Sequence, residues 1–169
     1  GDGNITFMHY SFMEYYAAIG LGTMVDTIGK ASALSRIPRW REVIMLYAGI
    51  IGDQDAVTPF VEQLLNDQTS LERITLDRII VAIEASLESE VPPEHALNQI
   101  LLAIEGQFDE TLLLDDDLRA KIGSLLARLV EATGGTNVSQ FLERGLSTGD
   151  PVRRAAFADV LGHVTCGAD

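Results

Sequence analysis

Pro38-Arg39-Trp40-Arg41-Glu42-Val43-Ile44-Met45-Leu46-Tyr47-Ala48-Gly49-Ile50-Ile51 is the stretch on which the fold turns. Trp40, Val43, Ile44, Tyr47, Ala48 and Ile51 recur at helical spacing, so they form one apolar stripe along a helix. Pro38 marks its start and Gly52-Asp53 its end. Such a stripe must be covered by another element, and the rest of the chain offers more helices of the same kind.

Toward the N-terminus lies Ile5-Thr6-Phe7-Met8-His9-Tyr10-Ser11-Phe12-Met13-Glu14-Tyr15-Tyr16-Ala17-Ala18. Its first residues are short and strand-forming, and a helix is expected to follow. Ser11 with Glu14 three residues on reads as a capping box, with Tyr10 and Tyr15 placed for the accompanying hydrophobic staple. Beyond Ala18, Gly20, Gly22 and Gly29 interrupt the pattern, predicting either one weakened helix or two short ones.

Toward the C-terminus, a helix carrying Phe60, Val61, Leu64 and Leu65 starts at about Asp55 or Thr58, and Pro59 makes Thr58 the preferred cap. A third helix is predicted from Ser70 to near Ser89. Its centre, Ile79-Ile80-Val81-Ala82-Ile83, is apolar on most sides and therefore covered on more than one face. Pro92-Pro93-Glu94 restarts the chain with Leu97, Ile100, Leu101, Ile104 and Phe108 inward. Asp115-Asp116-Asp117 precedes a long helix with Leu118, Ile122, Leu125, Leu126 and Leu129 inward. Three aspartates at a helix start complement the dipole and supply a cap, and the calcium-loop pattern is missing, so the cap is the preferred reading. Thr133-Gly134-Gly135 ends that helix, and Val138, Phe141, Leu142 and Leu146 mark a shorter one. Asp150 as cap and Pro151 at the first position open the last, with Val152, Ala155, Ala156 and Val160 on one side.

The chain has 169 residues, 47% of them hydrophobic and 22% charged, which suits one folded core or a short repeat array. Its net charge of −13 argues against a nucleic-acid partner, because phosphate binding draws on Lys and Arg. Lys30, Arg36, Arg39 and Arg41 cluster around Trp40 and read as solvated or interdomain cations. A single cysteine, Cys166, rules out an internal disulfide and suits a reducing compartment, so a cytoplasmic location is expected. No apolar run is long enough to span a bilayer, and no signal peptide is legible. The chain is expected to be a piece of a larger protein.

Three segments carry a resemblance. Phe7, His9, Ser11, Phe12, Glu14, Tyr15, Ala17 and Ala18 together resemble the segment that closes the winged-helix part of NACHT-type NTPases. There the family usually has glutamine where this chain has Met13. Pro38, Trp40, Glu42-Val43-Ile44, Leu46 and Ala48-Gly49 resemble the first long helix after that region. A third segment, Asp150-Pro151-Val152-Arg153 with Ala155-Ala156 and Leu161-Gly162, resembles the first helix of a HEAT repeat. First helices at Pro38, Ser70, Asp115 and Asp150 are spaced by 32, 45 and 35 residues, and second helices are placed near Thr58, Pro93 and Asn137. The HEAT range is ~40–47 residues, so any such array is irregular.

The resemblance implies residues 1–35 as the end of the winged-helix region with a junction helix, and 36–169 as a HEAT-like array. The expected fold is all-α, an irregular HEAT-like α-solenoid of antiparallel helix pairs with a strand remnant at the N-terminus. The implied role is a non-catalytic scaffold or sensor that binds a protein partner or ligand and couples it to a nucleotide switch. The alternative is a free-standing HEAT-like adaptor. In NACHT-type NTPases the histidine at the place of His9 can contact ADP phosphates, so His9 is the candidate cofactor-binding residue.

Within this chain a capping or packing His9 is the preferred reading, because no phosphate cradle accompanies it. Gly29-Lys30 is followed by Ala31, and Met24 stands where a P-loop needs its leading glycine. No cofactor is therefore expected here, ATP or ADP belonging to the larger parent. His95 and His163 lack metal-ligand spacing, Cys166 lacks a nucleophile's context, and no catalytic constellation emerges. Trp40 and tyrosines 10, 15, 16 and 47 could box a ligand, but at helical spacing they read as core. No membrane partner is expected.

Overall fold

The computed structural model describes residues 9–51, 54–67, 75–89, 92–108 and 111–166. The strand expected at residues 5–7, the glycine stop at 52–53 and the helix start at residue 70 lie outside these. Among the described residues the chain is all-α and contains no strand. Its helices are α1 (Tyr10–Gly22), α2 (Thr27–Leu34), α3 (Arg41–Ile51), α4 (Gln54–Asn66) and α5 (Asp77–Leu87). They continue with α6 (Glu94–Gln107), α7 (Thr111–Leu114), α8 (Asp116–Thr133), α9 (Thr136–Leu146) and α10 (Pro151–Cys166).

The stripe of α3 is buried as its spacing requires. Val43, Ile44, Tyr47 and Ala48 are in the core and Trp40 and Ile51 pack at its edge. Pro38 opens a single 3-10 turn, Pro38–Trp40, that leads into this helix. Tyr47 meets Phe60 of α4 edge to face at 5.7 Å, and burial raises the Tyr47 phenol pKa. The glycine-interrupted stretch after Ala18 resolves into two helices. Thr23 ends α1, donating its hydroxyl to the Gly20 carbonyl at 2.8 Å, and left-handed Asp26 begins α2.

Three local expectations are overturned. Pro59 stands inside α4 rather than at its first position, because the helix already begins at Gln54. An interior proline forfeits one backbone hydrogen bond. Here Val57, Phe60, Val61 and Leu64 are all fully buried, and covering Val57 requires the turn that precedes the proline. The long third helix is broken before Asp77, where Leu76 takes a left-handed φ of 55° with its side chain buried. On α10 the inward face is Ala156, Phe157, Val160 and Val164, whereas Val152 and Ala155 are exposed. Phe157 is the largest apolar group on that helix, and seating it keeps Ala156 and Val160 inward while turning Val152 and Ala155 to the outside.

Other expectations hold. Five consecutive residues of α5, Ile79 to Ile83, are buried, and the helix packs against α3, α4, α6 and α8. Asp115 caps α8, accepting from the Leu118 N–H at 2.9 Å, and Gly134 ends that helix at φ 73°. Asp150 accepts from the Val152 N–H at 2.9 Å at the start of α10.

Packing runs between neighbours. In one series α1 packs on α3, α3 on α5, α5 on α8 and α8 on α10; in another α2 packs on α4, α4 on α6 and α6 on α9. Two glycines permit the closest approaches. A Cβ at Gly123 of α8 would stand 2.5 Å from His163 Cβ and 3.1 Å from the Val160 carbonyl oxygen of α10. One at Gly145 of α9 would collide with the Phe157 ring. No helix among the described residues is long and apolar enough to cross a membrane.

Candidate functional site

Helix α1 is apolar nearly all round, yet only a narrow strip of small and aliphatic residues is covered. Ala18 and Leu21 are buried, with Ala17 packed beside them, and α3 is the main helix against which α1 lies. Three tyrosines expected to be core are instead outside, Tyr10 at 73% exposed with Tyr15 and Tyr16, and Phe12 at 59%, Met13 and Ile19 are exposed beside them. A helix with this composition is normally buried on more than one side, so its bare face is the principal surface anomaly of the molecule.

The expected capping box does not form. His9 is the N-cap in extended conformation, its carbonyl accepts from the Phe12 N–H at 3.2 Å, and no side chain caps the helix. Ser11 is therefore already inside the first turn and exposed, and Tyr10 lies within the helix rather than before it. The helix starts two residues earlier than the Ser-Glu pattern suggested, so neither the serine nor the staple is in capping register.

Two clefts flank the seam between α1 and α3. One, about 750 Å³, is lined by Ser11, Phe12, Glu14, Tyr15, Glu42 and Leu46. The second, about 420 Å³, lies along Tyr10, Met13, Glu14, Ala17, Arg39, Trp40 and Val43. In the first, Glu14 of α1 and Glu42 of α3 share the lining with the Phe12 and Tyr15 rings. Neither Glu14 nor Glu42 has an ion pair among the described residues. Tyr15 and Tyr16 meet edge to face at 5.8 Å.

His9, the candidate phosphate contact, is exposed and sets its ring edge-on to Phe12 at 6.5 Å. It lies at the same end of α1 as the clefts. The cations once grouped around Trp40 divide among different tasks. Arg41 pairs with Glu84, Arg36 donates to the Asp67 backbone carbonyl at 2.7 Å, and Arg39 lines the second cleft. His95 contacts Glu62 at 3.0 Å on the surface, and His163 lies 3.9 Å from Asp159. No group of three or more His, Cys, Asp or Glu side chains among the described residues could hold a metal ion.

One buried polar cluster escaped the sequence reading. Arg78 of α5 is 2% exposed, and it donates to the Ser32 carbonyl at 2.8 Å, the Ser32 hydroxyl at 3.0 Å and the Ser35 hydroxyl at 2.7 Å. Ser32 in turn donates to Asp67 at 2.8 Å, as does the Gln63 amide at 2.9 Å. Those hydrogen bonds hold the Asp67 carboxyl below its ordinary pKa, the Gln63 bond having the largest effect, then that of Ser32. The cluster ties α2, α4 and α5 together and is closed to solvent at Arg78, so its chemistry is structural. Arg119 has a similar role at the far end, joining Asp116, Asp159 at 2.7 Å and the Leu112 carbonyl at 2.7 Å.

Compared with known protein families, curated proteins and solved structures, the chain matches none.

Proposed function

We propose that the chain is a non-catalytic helical scaffold of HEAT-like, solenoid character that holds a protein partner or ligand. The packing carries this reading: each helix of the two series rests chiefly on its neighbours, the contact pattern of stacked helix pairs. Such a stack presents extended surfaces, and the bare aromatic face of α1 lies at one end of it. The side chains around the clefts support binding better than bond-making. Carboxylates and rings line them, and the Arg78 network is closed to solvent at Arg78 and Ser32.

In this proposal the resemblance of residues 7–18 and 38–49 places the scaffold in a NACHT-type signal-transducing NTPase. There it would transmit partner binding to the nucleotide switch, with His9 at the junction facing ADP. A free-standing HEAT-like adaptor is the second reading, and the same neighbour-to-neighbour packing favours it without any nucleotide switch.

Two measurements test these readings. Titration calorimetry of the chain with ATP and with ADP is expected to show no binding; micromolar affinity would overturn the claim that the nucleotide site is incomplete. Sequencing the gene upstream of the codon for Gly1 separates the two parents. A P-loop and a winged-helix pattern there support the NTPase, and further helix pairs support the adaptor.

A further inference from the structure

We propose that the cleft lined by Phe12, Glu14, Tyr15, Glu42 and Leu46 docks a cationic amphipathic helical segment of a partner protein. The proposal rests on the reading of the chain as a protein-binding scaffold and names the chemistry of one partner. Two features of the cleft define that chemistry. Its charged lining consists of two carboxylates, Glu14 from α1 and Glu42 from α3, without an ion pair among the described residues. Its apolar lining is Phe12, Tyr15 and Leu46, and both rings are exposed.

A lysine or arginine lying between the two carboxylates gains their attraction and can also lie over a ring face. An apolar residue one turn away on the same helix would cover the Phe12 ring and Leu46. Neither group alone uses the whole cleft, whereas an amphipathic basic helix uses both.

Charge selects this occupant over the others. The chain carries a net charge of −13, so an anionic lipid surface or a nucleic acid is repelled. A second copy seating the same cleft about a two-fold axis would bring four carboxylates and no cation of the lining into one interface, and like charges placed together there oppose association.

The probe is a fluorescein-labelled peptide of about 18 residues, long enough to form an amphipathic helix on docking, built from leucine and lysine. Anisotropy is read against the full chain at ~0.15 M salt, where diffuse attraction is screened. Two comparison peptides replace lysine by glutamate, or leucine by serine. The leucine–lysine peptide is expected to bind at least about ten-fold more tightly than either.

The paired variant Glu14→Gln/Glu42→Gln is expected to weaken it about ten-fold. Glu131→Gln/Glu143→Gln makes the same change of charge at exposed positions on α8 and α9 and is expected to leave affinity within about two-fold. Phe12→Ser/Tyr15→Ser, at exposed positions and with the melting temperature unchanged, is expected to match the loss at the carboxylates. Equal weakening by the two glutamate pairs, equal binding of the serine–lysine peptide, or no binding at all overturns the proposal. So does self-association of the chain that Phe12→Ser abolishes, which would assign the cleft to a second copy. Nucleotide binding in calorimetry would overturn the incomplete-site claim of that reading while leaving the peptide result standing, so the two failures are distinguishable.

Discussion

The rings of Phe108 and Phe157 lie stacked, their centroids 3.7 Å apart and their planes 14° from parallel. Phe108 ends α6 and Phe157 belongs to α10, so this contact joins segments nearly 50 residues apart in sequence. Phe141 of α9 completes the group at 5.3 Å from Phe157, and Arg153 lies over the Phe157 ring at 5.9 Å. All three phenylalanines are buried, and removing one leaves a cavity that helices held by so many neighbours cannot close.

Phe157→Ala is therefore expected to cost about 3–5 kcal/mol in urea unfolding. Combined with Phe108→Ala, the two losses should sum to more than the double variant shows, since each ring is the other's partner. A cost for Phe157→Ala under about 1 kcal/mol would mean that α10 does not seat this ring.

Two glycines that look alike in sequence should respond in opposite directions to alanine. Beyond its own turn of α10, Gly162 has no atom within 4 Å of its would-be Cβ, so Gly162→Ala is expected to stabilise by up to about 1 kcal/mol through helix propensity. Gly123 of α8 meets the α10 backbone, and Gly123→Ala is expected to destabilise by about 1–3 kcal/mol despite the same propensity gain. Thermal unfolding of the pair checks the sign directly.

Helix caps offer a similar contrast. Asp115→Ala removes the acceptor for the Leu118 N–H and is expected to cost about 1 kcal/mol. Ser11→Ala removes no cap and is expected to change stability by less than about 0.5 kcal/mol. A loss at Ser11 equal to that at Asp115 would restore the capping box.

The Asp67 carboxylate contributes a pH dependence of known sign. Its folded pKa is lowered, so its contribution is fully present above the unfolded value of about 3.9 and is lost as pH falls through the folded value. The stability difference between the native chain and Asp67→Asn should be constant above about pH 5 and shrink below about pH 4. Urea midpoints across that range measure it, and a difference growing toward acid would reverse the assignment.

Arg78 tests the same cluster from inside. Ser32→Ala removes a donor to Asp67 and an acceptor from Arg78 together, and is expected to cost about 1–3 kcal/mol. Arg78→Met is expected to cost at least as much, because the buried Ser32 carbonyl then loses the guanidinium donor.

What could be read along the chain was whatever depends on near neighbours. The stripes of Val43 to Ile51 and of Leu97 to Phe108 repeat within a few turns, and so they predicted buried helix faces. Asp115 and Asp150 cap helices whose first turns are within reach of their own side chains. Sequence could not choose the buried side of α1, because tyrosine, phenylalanine and methionine surround it and periodicity has no contrast to report. The aromatic face and its two carboxylates became visible only when α3 covered Ala18 and Leu21 and left the rest bare.

The same division holds throughout. Composition and helical spacing by themselves determined an all-α chain, the strong negative charge and most of the helix centres, since these follow from hydrogen bonds and side chains within one or two turns. Tertiary structure decided that Pro59 stays inside a helix, that Arg78 is buried, that Gly123 is a point of backbone approach and that α1 faces outward. Each of these is set by a partner more than 10 residues away or by the burial of a whole face. The energy of such packing exceeds local preferences of about 1–3 kcal/mol, and no local pattern records where the partner will lie.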